Sequence, residues 1–200
     1  MHAICVTLPE TPERMERSRA HFAQAGLTDV EFFTGINARV AGLATSHAYE
    51  IDNPGSGWRI GEKGTGCWLS FYMMWASVAR MPDDAYLILE DDAQLCDGFM
   101  DKWAQAMRDV PSDYDFLFLG HCCMKDKPKR HVAGDIYESK GMMCGHAYVL
   151  RRSTVTFLLQ KIRKCWAPLD IQLAHEVFPL VKVYAVMPRI VSQFNTDLAP

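Results

Sequence analysis

The chain has 200 residues, 49% of them hydrophobic and 22% charged, proportions that exclude a disordered or collagen-like polymer. One domain of this length buries about 70% of its unfolded surface and needs no staple. A net charge of −3 with a pI near 6.1 argues against a protein that coats nucleic acid.

Strand and helix signals alternate along the chain. Ile4 to Leu8 reads as a short buried strand ending at Pro9. Thr11-Pro12-Glu13 opens a helix, with a capping hydroxyl, a proline at the first helical position and an acid in the first turn. That helix stops at Gly26, and Val30 to Ile36 forms a second strand. Residues 38–62 read as irregular, with a turn at Asp52-Asn53-Pro54-Gly55. Gly64 to Met81 is helical, and Trp68, Tyr72 and Trp75 recur at the spacing of a core-facing stripe. Tyr86 to Leu89 is a buried strand, and Asp97 to Val110 an amphipathic helix. Asp115 to Leu119 is another buried strand, ending at Gly120. Residues 121–143 form a polar excursion; Ala147 to Leu150 is a strand, Ser153 to Lys164 a helix, Pro168 to Val177 a short helix and Val181 to Val186 a last strand. This order predicts a single α/β domain over 1–200 with a mostly parallel, mixed sheet flanked by helices.

The seven cysteines are an odd number, and several lie in apolar runs such as Ala3-Ile4-Cys5-Val6, so a reducing, cytoplasmic compartment is expected. The N-terminal apolar run is too short for a signal peptide, and no stretch approaches the roughly 20 residues of a membrane span.

The chemistry concentrates at Leu87-Ile88-Leu89-Glu90-Asp91-Asp92. An apolar strand delivers three carboxylates together at its carboxyl end, the edge of an open α/β sheet where ligands bind. Adjacent acids repel, so they suit water or a cation, and Mg²⁺ or Mn²⁺ takes such oxygens, often shared with phosphates. Strand alternation would point Glu90 and Asp92 to one side as a metal pair and Asp91 to the other. The competing reading is a solvated acidic turn.

This segment resembles the DxD region of GT-A sugar-nucleotide glycosyltransferases, and the chain as a whole resembles glycosyltransferase family 25, of the lipooligosaccharide-biosynthesis and procollagen galactosyltransferase type. The matching segments keep the family's order: Ile4 to Pro9 with Pro12-Glu13-Arg14, Phe33 to Ala38, Gly61 to Ser70, Leu89 to Asp92, Tyr114 to Gly120, Gly145 to Leu150, and Pro168-Leu169-Asp170. The resemblance implies a GT-A (nucleotide-diphospho-sugar transferase-like) fold and an inverting hexosyltransferase that uses UDP-linked galactose or glucose. Its acceptor would be a hydroxyl on a glycan, lipooligosaccharide or protein. By the same resemblance, Thr7, Leu8 and Arg14 cradle base and ribose, Asn37, Lys63 and Ser70 line the donor pocket, and Asp92, with Glu90 and Asp91, holds Mn²⁺ or Mg²⁺ on the diphosphate. His175 is a candidate C-terminal metal ligand. Asp170 is the candidate base that deprotonates the acceptor, with an N-cap role as the alternative. The chain departs from the family pattern at Phe71, where Ser-His is common. It also ends at Pro200, where relatives usually continue, so it is either one domain of a larger protein or a minimal version.

Rival readings are a nucleotide-sugar hydrolase or nucleotidyltransferase on the same acids, and a degenerate binding module. His121-Cys122-Cys123 with Cys144-Gly145-His146 lacks zinc spacing; His121 is expected at the surface or, by its place after a buried strand, in contact with donor or metal. The basic run Lys125 to His131 reads as a solvated loop, a lid, or a contact for an anionic acceptor or a membrane surface. Neither a P-loop nor a GxSxG elbow is present.

Overall fold

The computed structural model describes residues 1–41, 60–123 and 129–194. The predicted turn at residues 52–55 and residues 125–128 of the basic run lie outside them.

Ten strands and five α-helices are described, with a short 3-10 helix at Phe178–Leu180: β1 (His2–Thr7), α1 (Pro12–Gln24), β2 (Val30–Thr34), α2 (Glu62–Val78), β3 (Ala85–Glu90), β4 (Ala93–Leu95), α3 (Phe99–Asp109) and β5 (Phe116–Cys123) come first. β6 (Arg130–Ala133), β7 (Ile136–Glu138), β8 (Met142–Arg151), α4 (Arg152–Lys161), α5 (Leu169–Glu176), β9 (Val183–Val186) and β10 (Val191–Gln193) follow. Eight strands form one sheet in the order β2-β1-β3-β8-β5-β9-β7-β6, and β10 pairs with β4 in a separate ribbon.

The sheet is mixed as expected, but less parallel. β1 pairs parallel with β2 and β3, and β5 with β9, while β8 runs antiparallel between β3 and β5 and the β6–β7 edge is antiparallel as well. Period-two alternation supplies two cores. Ile4 and Val6, Tyr86 and Ile88, Phe116 and Phe118, and Tyr148 and Leu150 face α2, α4 and α5. Their neighbours Ala3 and Cys5, Leu87 and Leu89, Leu117 and Leu119, and Ala147 and Val149 face α1 and α3. The strands are buried on both faces, which is why they read as unbroken apolar runs. Trp68 and Trp75 are buried as the α2 stripe predicts, and Tyr72 stacks on Trp68 at 5.1 Å.

Three segments depart from expectation. The stretch after Gly120 is not a plain excursion: β5 continues through Cys123, and β8 begins at Met142. β5 and β8 pair there with register shifts around Gly120, where an added Cβ would lie 2.3 Å from His146 Nε2. Period alone cannot carry a strand through such bulges. The three-residue strands β4 and β10 were not anticipated, since three residues are too few to show a period.

The topology places the ligand edge. After β1 the chain crosses to β2 on one side, then returns to β3 on the other, so the order reverses at β1/β3. Crevices open at the carboxyl ends of strands at such a switch point. Val6 is opposite Glu90 in register, which sets the end of β1 beside the acidic turn.

Candidate functional site

The acids do not alternate as a strand would make them. β3 ends at Glu90, and Asp91 and Asp92 lie in a turn. Arg14, in the first turn of α1, reaches both: its Nη2 donates to Asp91 Oδ1 at 2.5 Å and lies 3.4 Å from Asp92 Oδ2. The expected Glu90–Asp92 pairing on one side therefore gives way to an Asp91–Asp92 pair on a shared guanidinium. Thr7 Oγ1 donates to Asp91 Oδ2 at 3.1 Å, and Ser18 Oγ donates to the Asp91 carbonyl at 2.5 Å. Asp91 is only 7% exposed. Its burial lifts the carboxyl above its ordinary value, while Arg14 and Thr7 pull the other way. Asp92 accepts from Phe194 N at its carbonyl (2.8 Å) and long contacts from Gln193 Nε2 at its carboxylate (3.4 and 3.5 Å). The β4–β10 ribbon thus fastens the C-terminal segment beneath the acidic turn.

Glu90 is different. Among the described residues no hydrogen bond or ion pair holds its carboxyl. Burial, followed by the charges of Asp92, Asp91 and Asp170, pushes its pKa up to about 8.

Two hollows meet at Glu90. The first, a cleft of about 480 Å³, is lined by Thr7, Leu8, Arg14, Asn37, Lys63 and Ser70, with Glu90 and Asp91 on its floor. Six residues far apart in sequence, expected at the donor, are thus brought together. Their roles differ in detail. The Ser70 hydroxyl is committed internally, donating to Gly66 O at 2.6 Å and accepting from Ile36 N at 2.7 Å. Asn37 Oδ1 accepts from Arg39 N at 3.2 Å and shapes the following turn. Gly66 allows α2 to approach this wall, because a Cβ there would meet Ile36 O at 2.6 Å.

The second hollow, about 250 Å³, lies toward β8 and α5 and is bordered by Glu90, Cys67 and Phe71 in common with the cleft. Asp170 lines it. The N-cap of α5 is Pro168, so Asp170 sits in the first helical turn and not at the cap position. Its Oδ2 accepts from Cys144 N at 3.0 Å and its Oδ1 from Ile171 N at 2.8 Å. Cys144 has φ +59, a left-handed backbone unusual for a non-glycine residue. Sequence reasoning missed Cys144 as the partner of Asp170, since no local pattern marks a backbone N–H 26 residues away. It also missed Ser18, which reads as an ordinary helix residue.

Other expectations resolve by location. His175 is exposed, its ring edge-on to Trp166 at 5.9 Å, and it lines neither hollow. His121 is buried, with Nε2 3.0 Å from Val186 O, which corrects the surface reading. Among the described residues no three His, Cys, Asp or Glu side chains converge as a ready-made metal cage. Within the basic run, Arg130 on β6 pairs with Glu138 and His131 Nε2 lies 2.8 Å from Gly134 O, so its described end is a strand edge.

The family model for glycosyltransferase family 25 (LPS biosynthesis protein) matches residues 1–173. The chain belongs to glycosyltransferase family 25. A relative from Anopheles gambiae described as "Glycosyltransferase 25 family member" is 24% identical over 159 residues. That match takes in 74% of this chain and 26% of the relative, so the chain spans about a quarter of its length. Among solved structures, CMP:2-keto-3-deoxy-manno-octonic acid synthetase complexed with CTP has a TM-score of 0.51 at 13% identity, covering 92% of this chain and 88% of that one. The galactosyltransferase LgtC, in complex with donor and acceptor sugar analogs, has a TM-score of 0.45 at 11% identity over 98% of this chain and 88% of that one. The fold of this family 25 chain is accordingly the expected α/β arrangement of the GT-A, nucleotide-diphospho-sugar transferase-like kind. No described helix is long and apolar enough to cross a membrane.

Proposed function

We propose that the chain transfers a hexose, galactose or glucose, from a UDP-sugar to a hydroxyl acceptor on a glycan, lipid-linked saccharide or protein, with inversion and with Mn²⁺ or Mg²⁺ bound. The observation that carries this reading is the cleft at the β1/β3 switch point, where Thr7, Leu8, Arg14, Asn37 and Lys63 surround the acidic turn. Leu8 and Asn37 would face base and ribose, and Lys63 the diphosphate.

The donor set supports a divalent cation held jointly with substrate. Glu90 stands among the charges of Asp92, Asp91 and Asp170, partly offset by Arg14, which also contacts Asp91 and Asp92. Mg²⁺-type sites need only one or two carboxylates when phosphates and water complete the shell, so the acids of the turn, Asp92 assisted by Glu90 and Asp91, would hold the cation without His175. Bound there, the cation would neutralise charge on the departing UDP. Arg14 would keep Asp91 ionised and the turn fixed. Asp170 would take the proton as the acceptor oxygen bonds to the anomeric carbon; the bond from that carbon to the diphosphate breaks, and its electron pair leaves with UDP. The Cys144 N–H would hold Asp170 in register for this. Buried thiols at Cys5 and Cys165 support a cytoplasmic location.

Thermal unfolding with UDP, GDP and CMP, each with Mn²⁺ and again with EDTA, tests the proposal. A nucleotide at about 100 times its dissociation constant adds roughly 2.7 kcal/mol of stability. A rise with UDP that EDTA abolishes is expected; no shift with any nucleotide would refute the donor reading. Release of pyrophosphate in place of UDP during turnover would make the chain a nucleotidyltransferase.

A further inference from the structure

α5 carries Asp170 to the second hollow, yet little in so short a helix fixes where that carboxylate lies. Its eight residues are too few for a helix to be stable alone, and no side chain caps its start at Pro168. Its buried apolar residues, Ile171 and Leu173, hold it to the core without fixing its rotation or slide, because apolar attraction has no direction. Hydrogen bonds do have direction, and α5 buries one amide side chain. Gln172 is 1% exposed, a costly place for an amide unless its groups are paired.

They are paired on every side. Gln172 Oε1 accepts from Trp68 Nε1 at 3.0 Å, and its Nε2 donates to Lys164 O at 2.8 Å and to Glu176 Oε2 at 2.9 Å. Glu176 Oε1 in turn accepts from Trp166 Nε1 at 2.7 Å. Methionine or leucine would fill a similar volume with no such needs, so what the amide adds is orientation. Trp68 follows Gly66 and Cys67 on α2, which line the donor cleft. Asp170 precedes Gln172 by two residues, about 200° around the helix, and its Oδ2 accepts from Cys144 N on β8. One side of α5 is therefore tied to the donor wall and the other to the bend in β8.

We propose that Gln172 is a positioning residue: through Trp68 it locks α5 to the donor wall and so seats Asp170 on the Cys144 N–H. The proposal deepens the transferase reading above and rests on it for the role of Asp170. Sliding α5 by one residue would move that carboxylate about 1.5 Å, and a misplacement of about 1 Å can cost about 10²-fold in rate.

The test is NMR on the full chain labelled with ¹⁵N-cysteine, read without nucleotide or acceptor. The Cys144 amide is the peak lost in Cys144→Ser, and Asp170→Ala gives its position once the bond is gone. Gln172→Met and Trp68→Phe should each move that peak toward the Asp170→Ala position. The peaks of Cys5 and Cys96, which pack on the opposite face of the sheet, should stay in place. Trp68→Phe leaves a ring to stack on Tyr72 and removes the indole donor, so it decides the matter if Gln172→Met does not fold. UDP release from UDP-galactose, with water as acceptor, should fall about 10–100-fold in either variant while the UDP-induced stability shift is retained. A Cys144 peak at its wild-type position in both variants overturns the proposal, as does a displaced peak with turnover unchanged. An unmoved peak strikes the Gln172 clasp alone, whereas unchanged turnover in Asp170→Asn strikes the base reading alone.

Discussion

Asp91 and Glu90 are neighbours in the chain, yet they occupy opposite kinds of surroundings. Asp91 is clasped by Thr7 and Arg14, with Ser18 on its carbonyl; Glu90 faces two hollows and three other carboxylates with no described hydrogen bond. One acid is spent on fixing the turn that joins β3 to β4. The other lines both hollows, the second together with Asp170, and is held to about pH 8 as the protonated acid by burial and its acidic neighbours. A run of acids is thus not a single functional unit: a nearby cation and hydroxyl convert one member into scaffold and leave the next available for chemistry.

The largest effect should come from the open side. Asp170→Asn keeps the shape and one acceptor oxygen for the Cys144 N–H but removes the base. Turnover is expected to fall about 10²–10⁴-fold, while the UDP-induced stability shift is retained. Unchanged turnover would transfer the base role elsewhere and make Asp170 a helix-turn residue.

Breaking the anchored side should cost stability first. Arg14→Met leaves Asp91 buried with Thr7 as its remaining side-chain partner, and an unsatisfied buried acceptor costs about 1–3 kcal/mol. The unfolding midpoint should drop by several degrees without nucleotide, and UDP binding should weaken as well. A midpoint equal to wild type would mean that the ion pair is no more than a surface contact.

The subtlest test sharpens the contrast through pH. Unfolded, Glu90 titrates near its ordinary value of 4.5; folded, it keeps its proton to about 8. The folded state therefore binds the extra proton between those values, and stability declines as pH rises through that window, levelling above about 8. Midpoints measured across it should fall for wild type and fall less for Glu90→Gln. Parallel curves for the two proteins would show that Glu90 is well solvated.

Much of the frame was legible in one dimension. The strands β1, β3 and β5, the α1 start at Pro12 and the α2 stripe follow from local rules: apolar runs long enough to cross a two-faced core, proline where its missing N–H costs nothing, and aromatic residues at helical spacing. The acidic turn was visible because carboxylates directly after a buried strand have few places to go. Short or bulged elements were not legible, since β4, β10 and the distal half of β5 exist through pairing with distant partners.

The sequence by itself determined that carboxylates would emerge at one edge of an α/β sheet, and the family resemblance supplied which residues should meet them. Tertiary structure alone decided how they were divided. Arg14 had to be carried by α1 to the turn, β8 had to bend at Cys144 to give its N–H to Asp170, and α2 had to approach closely enough at Gly66 to wall the cleft. Each of these contacts joins residues far apart in the chain. Local propensity carries no information about such pairs, because their energies exist only once the sheet has closed the distance.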